Sequence, residues 1–128
     1  MVTEITEGIS ISVETFYQPD YSNPLAGEFM FAYRILIENG NSFPIRLLRR
    51  HWYIVDSNGG KREVEGEGVV GVQPILGPGE TYQYVSGSNL RTEIGKMFGT
   101  YAMENQNNKK LFEVRIPEFQ MVVPFKMN

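Results

Sequence analysis

Apolar residues recur at every second position along most of this chain. In 9–17, Ile9, Ile11 and Val13 alternate with Ser10, Ser12 and Glu14. That is the pattern of a strand with one face buried. The longest alternation is 28–39. Phe29, Phe31, Tyr33, Ile35 and Ile37 share one face, and Met30, Ala32, Arg34, Leu36 and Glu38 share the other. The period of two and the β-branched and aromatic content suit a pleated sheet. Further strands are predicted over 45–56, 61–71, 81–87, 96–104 and 111–116. A short fragment lies within 72–80, and a last strand runs through Phe119, Met121 and Val123 in the run that ends at Phe125.

Proline, glycine and asparagine mark the breaks. "YQPDYSNPLAG" (17–27), "NGNSFP" (39–44), "SNGG" (57–60), the Pro78-Gly79 pair and "NQNNKK" (105–110) read as loops and turns. Residues 88–95 read as a loop or one helical turn, and Pro117 as a kink between two strands. Seven or eight strands and no helix predict an all-β sandwich of the immunoglobulin or fibronectin type III kind, with a small barrel as the alternative.

The 45–71 segment also constrains register. Glu63, Glu65 and Glu67 share a face, and Trp52 and Ile54 belong to the core. A two-residue turn would set those carboxylates among the apolar residues, and burying an unpaired carboxylate costs several kcal/mol. An odd loop of Asn58, Gly59 and Gly60 avoids this. It sets Ile54 opposite Val64, and Val55, Tyr53 and His51 opposite Glu63, Glu65 and Glu67. Arg50 then falls on the Trp52 face, which calls for a sheet edge or a bulge.

Composition narrows the class. The 128 residues fit one domain, 1–128. With no cysteine, disulfides and thiolate metal sites are excluded. A net charge of −3 and pI near 5.2 make a nucleic-acid partner unexpected. No apolar run approaches the roughly 20 residues of a membrane span. The opening "MVTEITEGIS" lacks a signal-peptide pattern, so a cytoplasmic protein without membrane association is expected.

Five features carry candidate chemistry. "GEGVVG" (66–71) has the spacing of a dinucleotide fingerprint, but that motif needs a helix after its glycines. Pro74 follows within three residues of Gly71, and proline inside a helix costs about 3 kcal/mol. Gly66, Gly68 and Gly71 therefore read first as a bulge or bend where a strand leaves one sheet. A backbone anion loop using these glycines with Arg49 or Arg50 is the functional alternative. Glu63, Glu65 and Glu67 could hold a hard cation, but a solvated face paired to Arg49 or His51 is the simpler reading. His51 is the only histidine, too few for a zinc site, so no metal or cofactor is expected. Ser86 and Ser88 in "VSGSN" lack a nucleophile-elbow frame and read as turn serines. "RRHWY" (49–53) offers Arg49, His51 and Tyr53 on one solvent face as a candidate interaction surface, with Trp52 in the core.

Longer stretches carry a resemblance. "YRILIEN" (33–39), "LLRRHW" (47–52), "DSNG" (56–59), "EVEGEGVVG" (63–71), "QPILGPGE" (73–80), "YVSG" (84–87), "GKMFGTYAM" (95–103) and "IPEFQ" (116–120) together resemble the bacterial ApaG family. The resemblance covers nearly the whole chain and implies a fibronectin type III-like β-sandwich. It maps the family's glycine motif onto Gly66, Gly68 and Gly71. Bacterial members are linked by name to cobalt and magnesium efflux. Related domains in eukaryotic F-box proteins and in a DNA polymerase-interacting protein are thought to mediate protein contacts. The expectation is a non-enzymatic module that binds an unidentified protein partner, with free sheet edges offering a homodimer contact. The alternative is a protein responsive to nucleotide, polyphosphate or divalent cations.

Overall fold

The computed structural model describes residues 1–124. Phe125, the end of the last apolar run, lies outside the described residues. The described chain forms nine strands: β1 (Val2–Thr6), β2 (Ile9–Tyr17), β3 (Phe29–Asn39), β4 (Ile45–Asp56), β5 (Lys61–Glu67), β6 (Ile75–Leu76), β7 (Thr81–Leu90), β8 (Ile94–Asn105) and β9 (Leu111–Val122). One sheet has the order β1-β2-β3-β7, and the other β5-β4-β8-β9 with β6 also paired to β4. All pairings between these strands are antiparallel.

The inward faces follow the alternation. Phe29, Phe31, Tyr33, Ile35 and Ile37 are buried, as are Ile9, Ile11 and Val13 beside them in β2. They meet Trp52, Ile54, Met97, Tyr101 and Phe119 of the second sheet in one core. Trp52 packs against Tyr33 and Phe119 with ring centroids 5.5 and 5.8 Å apart. Each such side chain contributes about 1.5–3 kcal/mol by leaving water. Tyr84 of β7 and Tyr101 of β8 join their hydroxyls in a buried hydrogen bond between the sheets.

Two bulges keep the alternation facing the core. In β4, Ile45 and Leu47 point inward; the register with β8 then slips between Leu47 and Arg49, and Arg50, Trp52 and Ile54 take over the inward face. One extra residue reverses the parity of everything after it. In β9 the same device operates around Pro117, between the inward sets Val114/Ile116 and Phe119/Met121. Proline lacks a ladder N–H and is tolerated at a bulge. The expected kink between two strands is therefore one continuous strand.

Other expectations need correction. β1 was not foreseen, because Val2 and Ile5 remain exposed and give no half-buried alternation. β7 runs on to Leu90, and only residues 91–93 turn, so the expected loop or helical turn over 88–95 is mostly strand. Ser86 and Ser88 are strand residues rather than turn residues. The β4–β5 loop is odd, as expected, but begins one residue earlier, at 57–59. Asp56 N–H donates to Gly60 O (2.8 Å), Gly59 N–H donates to Asp56 O (3.0 Å), and Gly59 holds φ +91°. The facing pairs are consequently Tyr53–Glu63, His51–Glu65 and Arg49–Glu67, two residues from the expected register but with the same faces outward.

Candidate functional site

The glycine segment is an excursion from a sheet edge. β5 pairs with β4 up to Glu67, opposite Arg49, and β6 rejoins the same edge of β4 at Ile45 and Arg46. Residues 68–72 loop out between them. Gly68 N–H donates to Leu48 O (2.8 Å), Gln73 Nε2 donates to the same carbonyl (2.9 Å), and Leu47 N–H donates to Pro74 O (3.0 Å). The β4 bulge thus anchors the excursion at both ends. Contrary to expectation, the chain does not leave the sheet at these glycines; it crosses to the other sheet after β6, through 77–80.

The glycines have separate local duties. Val69 and Val72 exchange N–H···O bonds of 2.8 and 3.1 Å around Val70 (φ +46°) and Gly71 (φ +81°). Positive φ at both central residues defines a type I′ turn. Val70 is strained there, because a β-branched residue resists positive φ. Gly68 has φ +61°, and an added Cβ would lie 2.1 Å from Val72 O. At Gly66 an added Cβ would lie 2.8 Å from Arg50 Nη1. Its absence leaves room for that guanidinium, whose Nη1 donates to Glu67 O (3.0 Å) and Gly68 O (3.1 Å). No helix follows Gly71: Val72 pairs back on Val69, and the chain runs into β6. Arg49 and Arg50, grouped by their adjacency in sequence, lie on opposite faces of β4. Arg49 is exposed on the outer side, while Arg50 faces inward opposite Tyr101.

The outer face of the second sheet gathers the chemistry of β4, β5 and β8. His51 stands between two carboxylates, with Nε2 2.8 Å from Glu63 Oε1 and Nδ1 2.9 Å from Glu65 Oε1. Those contacts pull the two carboxylates to opposite sides of one ring. Among the described residues no three His, Asp or Glu side chains converge as metal ligands would. His51 stacks on Tyr53 (centroids 4.5 Å), and Tyr53 stacks on Phe98 (5.2 Å, 12° between planes). Partial desolvation raises the Tyr53 pKa, and the nearby carboxylates of Glu63, Glu65 and Glu113 add to the rise. Beside the stack lies a depression of about 540 Å³, lined by Tyr53, Val55, Phe98, Lys61, Lys96 and Glu63, with Arg62 at its border. Lys96 bridges to Glu118 (3.4 Å) and sits 6.0 Å above the Phe98 ring.

Of the residues singled out in sequence, Arg49, His51 and Tyr53 share this outer face, and Trp52 is in the core. Phe98 and Lys96 were missed. Their positions across from Tyr53 and Val55 depend on the β4–β8 register. The available signal was the aromatic at the outward parity of the 96–104 strand.

Comparison with known proteins places the fold in a family. The ApaG domain model matches residues 19–105, which hold β3 through β8 and the 68–72 excursion. Protein ApaG of Paramagnetospirillum magneticum is 44% identical over 124 residues, covering 97% of this chain and 95% of that protein. Protein ApaG of Brucella canis is 43% identical with the same coverage. A solved structure carried under the name ApaA, from Bordetella pertussis, superposes with a TM-score of 0.87 at 44% identity, covering 91% of this chain and 94% of that one. A second solved structure gives 0.86 at 38% identity, covering 91% and 88%. With a matching domain model and relatives aligned along almost its whole length, this chain belongs to the ApaG family.

Proposed function

We propose that this chain is a non-enzymatic binding module whose outer β4–β8 face docks a protein partner. The observation that carries the reading is the His51–Tyr53–Phe98 stack on the solvent side of a sheet. Tyr53 and Phe98 are a cross-strand pair, and such a pair adds only about 0.2–1 kcal/mol to a sheet, less than the same rings can supply when a partner covers them. Aromatic and arginine side chains supply most of the energy at protein interfaces, because they bury much area at low entropic cost. The lining of the depression beside the stack supports one character of partner. Three cations, Lys61, Arg62 and Lys96, and one carboxylate, Glu63, surround the apolar floor of Phe98 and Val55. A partner segment with an apolar anchor flanked by acidic residues complements that lining.

The divalent-cation reading draws no comparable support, since Glu63 and Glu65 are engaged with His51. The test is site-directed photocrosslinking in cells of the source organism. A photoreactive residue at Val55 is expected to trap a discrete protein, and one at Val85, on the outer face of the other sheet, is not. Equal trapping at both positions, or none at Val55, would refute the proposal.

A further inference from the structure

The two sheets are closed differently along their two sides. On the β1/β9 side, Arg115 N–H donates to Thr6 Oγ1 (3.3 Å) and Arg115 Nε lies 3.3 Å from Glu4 Oε2. On the β5/β7 side a cleft of about 200 Å³ opens between the sheets. Its lining includes Arg50, Arg62, Tyr33, Ser86, Ser88 and Trp52, and contains no Asp or Glu. We infer that this cleft binds a phosphate-sized tetrahedral oxyanion, either inorganic phosphate or the terminal phosphoryl group of a phosphomonoester. The cleft shares Arg62 with the outer depression but none of that depression's other lining residues.

Charge is the first support. In a chain of net charge −3, Arg50 and Arg62 reach the same cleft, and neither forms an ion pair with a carboxylate among the described residues. Arg50 spends two of its five N–H groups on the carbonyls of Glu67 and Gly68, which hold it in place without neutralising it. Arg62 is tethered to Asn89 of β7, through Nη1 to Oδ1 (3.3 Å) and Nη2 to the backbone carbonyl. Two guanidiniums held by neutral acceptors are suited to oxyanion recognition.

Unused hydrogen-bonding capacity is the second. Ser88 is only 9% exposed, and its Oγ is buried with no hydrogen-bond partner. A buried polar atom left unpaired is uncommon and calls for an explanation. Ser86 and Ser88 stand opposite Tyr33 and Phe31 on the inward face of the edge strand β7. Tyr33 stands opposite Ser86 in the β3–β7 pair and feels the Arg50 charge, so polar side chains continue from Arg50 along the cleft wall.

Size is the third. At roughly 30 Å³ per water, the cleft holds about six or seven waters. That is enough for one phosphoryl group. A phosphomonoester would enter phosphate first and leave its remainder outside.

Trp52, the only tryptophan, lines the cleft and supplies the readout. The intact chain is titrated with inorganic phosphate and with O-phosphoserine, with sodium chloride matched to each ionic strength. The outcomes are read by Trp52 fluorescence and by amide NMR shifts of Gly87, Ser88 and Asn89. Saturable changes in the millimolar range or below are expected with phosphate and not with chloride. Arg62→Gln should weaken binding at least about tenfold, and Ser88→Ala should weaken it less. Arg62 is exposed and Ser88→Ala removes a single atom, so the unfolding midpoint verifies that the fold is intact. Phosphate alone binding would assign a free-ion site; both probes binding would assign a phosphomonoester site. Chloride reproducing the changes, or folded Arg62→Gln binding phosphate as tightly as the parent, would overturn the inference.

Discussion

The two faces of β4 use similar residue types for opposite ends. Outward, Arg49, His51 and Tyr53 stand opposite Glu67, Glu65 and Glu63 of β5, and Tyr53 stacks on Phe98 of β8. Inward, Arg50 and Trp52 meet backbone carbonyls and the rings of Tyr33 and Phe119. Arginine next to arginine and tryptophan next to tyrosine give little hint of this in composition. Parity decides it, and the bulge at Leu48 sets the parity. The inner side chains pack between the sheets and the outer ones border solvent, so the two sets should fail differently when removed.

Trp52→Ala should give the largest effect. It opens a cavity where three aromatic rings converge and should cost about 3–5 kcal/mol, measured by chemical unfolding. A loss as small as that of an outer-face variant would break the distinction. Gly68→Ala comes next. Positive φ alone should cost about 1–3 kcal/mol, and the contact with Val72 O forces the excursion to shift as well. Hydrogen exchange should then accelerate at Gly68, Val69 and Val72 before it does in β3.

The third expectation is alkaline. Burial raises the pKa of Tyr84 and of Tyr101 above the ordinary tyrosine value. The folded state therefore holds these protons more tightly than the unfolded chain, where tyrosine titrates near 10. Stability should be unaffected by this pair below about pH 10 and fall as pH rises beyond it. In an ultraviolet titration, Tyr53 should ionise while the protein is folded, and Tyr84 and Tyr101 only as it unfolds. Early ionisation of all the tyrosines would show the inner face to be wet.

Much of this contrast was legible in sequence. Alternation in β3 and the placing of Glu63, Glu65 and Glu67 away from Trp52 were enough to assign the faces. The misfit of Arg50 pointed to a bulge or an edge, and β4 has a bulge just before it. Absolute register was not legible. Asp56 rather than Ser57 closes the first turn, a choice made by the Asp56–Gly60 and Gly59 backbone bonds, and no side-chain pattern distinguishes registers two residues apart. Nor was the path after Glu67, where residues 68–72 leave and rejoin one sheet edge through bonds to Leu47 and Leu48 distant in sequence. The partnership of Tyr53 with Phe98, and of Arg50 with Arg62 across the cleft from Ser88, likewise needed three strands to be set side by side.

The most direct measurement compares parent and Tyr53→Ser/Phe98→Ser chains in two assays on the same samples. These are the unfolding midpoint and the affinity for the protein trapped by crosslinking at Val55. A docking face predicts a midpoint shift small beside that of Trp52→Ala, together with at least a tenfold loss of affinity. Unchanged affinity in the folded double variant would contradict the account.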